Sequence, residues 1–190
     1  MFDALLAMNR YTIRRKVLKL FGGGFYVLDP DENIVGYSAQ KAFKLKEDIR
    51  VFADEGQTDA LLRIRARQVI DFAACYDVVD EREGLKVGAA RRKGFRSMLR
   101  DSWELLDEFD EPIATLQEDS MGMALLRRVL ANIIPQKFHL GEGAGAVQLH
   151  QRFNPFVYKL DVFIPDSCEI DRRLILATAV LIAAIEGRQE

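Results

Sequence analysis

The chain has 190 residues, 49% of them hydrophobic and 29% charged, with a formal net charge of −2. That length suits one domain with a substantial core, and the composition excludes a disordered chain. The near-neutral balance excludes a global field for nucleic acid or anionic membrane, so any such binding must come from a local basic patch.

The N-terminal residues 1–8 are apolar, but too short and too acidic at Asp3 for a secretory signal. They read as a short helix or arm, within residues 1–10, that docks on the domain. Four acidic clusters then recur at nearly even intervals: Asp29-Pro-Asp-Glu-Asn33, Asp54-Glu-Gly56, Asp80-Glu-Arg-Glu-Gly84 and Asp107-Glu-Phe-Asp-Glu-Pro112. β-Rich runs flank each of them, as residues 25–28 and 34–37 flank the first. Strand, Asp/Gly/Pro turn and strand form the hairpin signature. Repeated four times, it predicts an antiparallel meander that closes or nearly closes into a barrel.

Further strands fit residues 11–20, 49–53, 69–79, 85–92, 103–106, 113–118, 137–140, 147–152 and 156–164. Residues 61–67 have helix-forming composition. Yet Leu62, Ile64 and Ala66 alternate with Arg63, Arg65 and Arg67, the period of a strand. About a dozen strands leave room inside a barrel for more than side chains.

Two helices complete the expectation. From Asp119 or Ser120 to Pro135, Met123, Leu126, Val129, Leu130 and Ile133 share one face, which predicts an amphipathic helix against the barrel wall. Residues 174–185 are apolar throughout except Thr178. A helix apolar on every side is enclosed by protein or by lipid. Crossing a bilayer takes about 20 apolar residues, so this run, opened by Asp171 and closed before Gly187, predicts a helix over 170–187 enclosed by the domain. The fold class is mainly β (α+β): one closed antiparallel barrel spanning residues 1–190, with an apolar C-terminal helix inside and one helix outside.

Cys75 and Cys168 lie far apart with no metal-type spacing, which fits reduced thiols in a cytoplasmic protein. Arg63, Arg65 and Arg67 project from one strand face, and Arg91, Arg92, Lys93 and Arg96 lie near a strand end. Guanidinium groups so spaced hold an anionic group such as a phosphate, or they form the solvated face of the sheet. Asp29–Asn33 opens like a calcium loop but puts Ile34 and Gln40 where an EF-hand needs Gly and Glu, so it reads as a turn. His139 and His150 flank Gly141–Gly145, and a hairpin brings them opposite each other at best as half a metal site. Gly22-Gly-Gly24 lacks the rest of a phosphate loop. No nucleophile motif is present. The expectation is therefore a non-enzymatic binding module with no cofactor and no metal. Its partner is an anionic lipid or membrane surface, peripheral at the inner face, or a protein, and not nucleic acid.

The hairpin Tyr76-Asp-Val-Val-Asp80…Gly84-Leu-Lys-Val-Gly88, the Ile134-Pro135 step, Asn154-Pro-Phe156 and the segment from Asp171-Arg-Arg to Glu186-Gly187 together resemble the tubby C-terminal-like superfamily. The similarity is closest to its LURP-one-related and phospholipid-scramblase-like branch. That resemblance implies a twelve-stranded barrel threaded by the C-terminal helix. Tubby members bind phosphoinositides through a Lys-x-Arg pair after a Phe-Ile-Gly strand start. Here Ile34-Val-Gly36 is followed by Tyr37-Ser38-Ala39, so the basic pair is absent and those residues are not carried over. Scramblase-like members carry a calcium segment near the terminal helix. Asp161, Asp166, Glu169 and Asp171 occupy that neighbourhood without forming a recognisable ligand loop. Two alternatives stand beside it: a membrane protein of scramblase type anchored by residues 174–185, or a small-ligand carrier or enzyme with a pocket at the barrel mouth.

Overall fold

The computed structural model describes residues 2–16, 23–40, 48–67, 74–93, 102–118, 135–154 and 156–186. Helix α1 (Phe2–Leu6) precedes twelve strands. These are β1 (Arg10–Arg15), β2 (Gly23–Leu28), β3 (Ile34–Gln40), β4 (Ile49–Phe52), β5 (Ala60–Ala66), β6 (Cys75–Asp80), β7 (Leu85–Arg92), β8 (Ser102–Leu106), β9 (Pro112–Glu118), β10 (Lys137–Leu140), β11 (Val147–Arg152) and β12 (Lys159–Phe163). Helix α2 (Arg172–Glu186) follows. Each strand pairs with its neighbours in the chain, and β1 pairs with β12 from Arg10↔Phe163 to Arg14↔Lys159, which closes the barrel.

The acidic clusters become the turns of four hairpins, three of them built by the same local chemistry, while Asp54 Oδ2 accepts the Thr58 hydroxyl at 2.9 Å. Asp29 Oδ1 accepts the N–H of Asp31 and of Asn33, at 2.9 and 2.8 Å. Asp107 Oδ1 accepts those of Phe109 and Glu111, both at 2.9 Å. Asp80 Oδ1 accepts those of Arg82 and Glu83, at 3.0 and 3.3 Å. Each turn ends with one residue at positive φ: Glu32, Gln57, Gly84 and Asp110. The ladder shifts by one residue beside every turn, at Val27/Leu28, Val51/Phe52, Val78/Val79 and Leu105/Leu106. Such bulges increase local twist, which helps a sheet curve into a closed wall.

Alternation sends Ile13, Val27, Ile64, Val78, Leu105 and Leu160 inward, all at most 1% exposed. The space they surround is filled by α2, whose residues from Leu174 to Ala184 are each 0–3% exposed. Its one polar side chain in that stretch, Thr178, donates its hydroxyl to the Leu174 carbonyl at 2.7 Å and so satisfies itself. Gly88 lets β7 approach closely. A methyl group there would sit 2.4 Å from the Leu106 carbonyl oxygen and 3.1 Å from Leu174 Cδ2.

One barrel end is sealed by side chains from both chain ends. Asp171 Oδ1 accepts the Arg173 N–H at 2.8 Å, the expected opening of α2. Arg172 donates to the Met8 carbonyl and to Asn9 Oδ1 at 2.8 and 2.7 Å, which ties the end of α1 to the start of α2. Phe2 and Leu5 are buried beneath this clasp.

Two sequence expectations change in detail. The strand expected over 156–164 begins only at Lys159, because Asn154 Oδ1 accepts the N–H groups of Phe156 and Val157 and holds them in a turn. The amphipathic helix expected over 119–134 lies outside the described residues, as do residues 17–20 and 69–73 of two expected strands.

Candidate functional site

Arg63, Arg65 and Arg67 occupy the outer face of β5 and its end, as their alternation requires. Two of the three are engaged with carboxylates. Arg63 Nε lies 2.9 Å from Glu81 Oε1, close in distance though not aligned as a hydrogen bond. Arg67 donates to Asp77 Oδ1 through Nε and Nη2, at 2.7 and 2.6 Å, and also to Asp110. Arg67 and then Lys86, the latter at 2.7 Å, hold the Asp110 carboxyl down at about 2. Arg65 is exposed and stands directly across from Asp77.

Arg91 Nε and Lys93 Nζ each lie 3.1 Å from Glu104, and the Arg91 bond is the main cause that holds Glu104 below the usual carboxylate range. Arg92 instead shares a face with buried Ala90 and lies 6.0 Å from the Trp103 ring centroid. Arg67 and Arg91 flank Cys75 from either side, so the two groups adjoin across β6, while Arg92 is turned away from both. Arg96 lies outside the described residues. An anion binding at either strip must compete with carboxylates already in place.

Barrel closure assembles a different basic tract. Arg152 of β11 is directly opposite Lys159 of β12, Lys159 is opposite Arg14 of β1, and Arg14 is opposite Tyr26 of β2. Three cations thus stand side by side on the outer face. Arg14 lies 5.5 Å from the Tyr26 ring centroid, and no carboxylate pairs with it among the described residues. Lys16, two residues on, lies 5.5 and 5.8 Å from the Tyr26 and Tyr37 rings and pairs with Glu55. Arg152 meets Asp161 at 2.5 Å, while Lys159 has only Glu32 at 4.0 Å. Like charges directly opposite destabilise a sheet, and Asp161 and Glu32 offset part of that repulsion here. Sequence reading missed it because Arg14 and Arg152 are far apart in the chain. The available signal was Arg152-Phe-Asn-Pro-Phe-Val-Tyr-Lys159, a hairpin with a cation on each side of its turn.

Other expected features resolve simply. His139 is opposite Gln148 and His150 is opposite Lys137, so the two imidazoles are not a directly opposed pair. No group of three metal-ligating side chains occurs among the described residues. The Asp29 carboxylate is spent on its own turn, also accepting the Asn33 amide at 2.9 Å. Gly23 and Gly24 begin β2, and Gly22 lies outside the described residues. A cleft of about 450 Å³ runs along the outer wall of β9 and β10, lined by Ile113, Thr115, Gln117, His139 and Glu142 among others.

Fold and site define the class: a closed twelve-stranded antiparallel barrel that encloses its own C-terminal helix and displays basic tracts outside. No family model matches the chain, and neither does any curated protein or solved structure. Among the described residues, no helix is long and apolar enough to cross a membrane.

Proposed function

We propose that this protein is a non-enzymatic binding module of tubby C-terminal-like type that takes an anionic or amphiphilic ligand on its outer wall. The observation that carries this reading is the row Arg152–Lys159–Arg14, three cations opposed across adjacent strands with an aromatic ring at the end. The filled interior supports an external ligand, since α2 occupies the space that barrels of this size offer to small molecules. Twelve closed strands around a C-terminal helix are also what the family resemblance implies. The enclosed position of Leu174–Ala184 weighs against a tail-anchor role for that helix.

Co-sedimentation of the full chain with phosphatidylcholine vesicles, with and without an anionic lipid, tests the reading. Binding should require the anionic lipid, weaken with salt, and fall in an Arg14→Gln/Lys159→Gln variant. The variant Arg63→Gln/Arg65→Gln/Arg67→Gln reports separately on the β5 strip. Equal binding to neutral and anionic vesicles, or none to either, would overturn the proposal.

A further inference from the structure

The up-and-down topology sorts the connections between the two barrel ends. The β2–β3, β4–β5, β6–β7, β8–β9 and β10–β11 turns and the lead into α2 all lie at one end. Residues 29–33, 53–59, 81–84, 107–111, 141–146 and 164–171 together hold sixteen Asp and Glu against one Arg.

At the opposite end lies the β11–β12 hairpin. It carries Phe153 and Phe156, 60% and 85% exposed, between Arg152 and Lys159, with no carboxylate in the run. Asn154 Oδ1 fixes the tip by accepting the N–H groups of Phe156 and Val157, at 2.9 and 3.0 Å. Exposed Ile34, Leu85 and Phe109, by contrast, sit in or beside the acidic turns, where an anionic surface would repel them. Aromatic side chains flanked by cations are the residues that partition into the headgroup region of an anionic bilayer.

From this placement we infer that the protein docks end-on to an anionic bilayer. Phe153 and Phe156 enter the headgroup region, and the Arg152–Lys159–Arg14 row contacts lipid phosphates in competition with Asp161 and Glu32. The inference rests on the anionic-ligand reading above and adds the partner, the contact and the orientation. Variants of exposed residues test it without endangering the fold, and thermal melts of each variant verify that. Phe153→Ser/Phe156→Ser should weaken binding to phosphatidylcholine vesicles containing an anionic lipid at least about tenfold, that is about 1.4 kcal/mol. Phe156→Trp should keep binding and show blue-shifted fluorescence quenched by brominated lipid, whereas buried Trp103 in the wild type gives neither change. Salt-sensitive vesicle binding that the serine variant leaves intact, or an unshifted Phe156→Trp spectrum on bound protein, would overturn end-on insertion while the anionic-ligand reading stands. Absence of binding by the wild-type chain would overturn both.

Discussion

Arg173 Nη1 lies 3.0 Å from Asp80 Oδ2, a contact that pins the first turn of the inner helix to the barrel wall. Asp80 is only 3% exposed and simultaneously holds the β6–β7 turn through its other oxygen. One carboxylate therefore couples helix insertion to hairpin closure. Asp80→Ala should cost on the order of 2–3 kcal/mol, because it removes two backbone acceptors and leaves Arg173 short of a partner. Arg173 keeps Asp171 at 2.8 Å and Glu83 at 3.1 Å, which limits the loss. Urea denaturation measures it, and a change below about 0.5 kcal/mol would mean the pair behaves as an exposed one.

Ile182 is 3% exposed within the enclosed helix. An aspartate there would face apolar side chains with no partner, at a cost of several kcal/mol against a typical domain stability of about 5–15 kcal/mol. Ile182→Asp should abolish the cooperative thermal melt followed by circular dichroism. A cooperative melt near the wild-type temperature would contradict enclosure at that position.

Gly88 meets backbone, so its substitution has no easy relief. Gly88→Ala would place its methyl 2.4 Å from the Leu106 carbonyl oxygen and should destabilise by about 1–3 kcal/mol. Shortening Leu174 in a Gly88→Ala/Leu174→Ala variant should not restore the loss, since the closer atom belongs to β8. Recovery of wild-type stability in that double variant would show that side-chain crowding was the limiting clash.

Burial pushes the Tyr11 hydroxyl above its ordinary value of 10.0, with the nearby Arg172 charge opposing the shift only in part. Its oxygen has no hydrogen-bond partner in the structure. The folded state therefore keeps this proton while the unfolded chain releases it above pH of about 10. Its contribution to stability is complete below that pH and is lost as pH rises toward the folded value. Tyr11→Phe should flatten this alkaline decline and, by removing an unsatisfied hydroxyl, raise stability at neutral pH by about 1 kcal/mol. Denaturant midpoints for both proteins between pH 7 and 11 test this; parallel curves would assign the decline to other groups.

The four hairpins were legible because each turn is an acidic cluster between β-rich runs, a signal contained within a few residues. The inner helix was legible for a similar reason, since only enclosure suits residues 174–185. The Arg152–Lys159–Arg14 row was not, because it depends on the register at which the first and last strands meet. No local pattern specifies that register. The partners of Arg63 and Arg67 were equally hidden, as Glu81 and Asp110 come from turns folded toward the β5 face. Residues 156–158 read as strand because their aromatic and β-branched side chains have strand propensity, which the Asn154 side chain overrides.

Amide hydrogen exchange along α2 tests the enclosed helix most directly. With the barrel closed around it, the amides from Leu176 to Ala184 can exchange only when the wall opens. They should belong to the slowest class in the protein, with an opening free energy equal to that of global unfolding from denaturant titration. Rapid exchange of these amides while the β5, β7 and β12 amides stay protected would contradict a helix held inside the barrel.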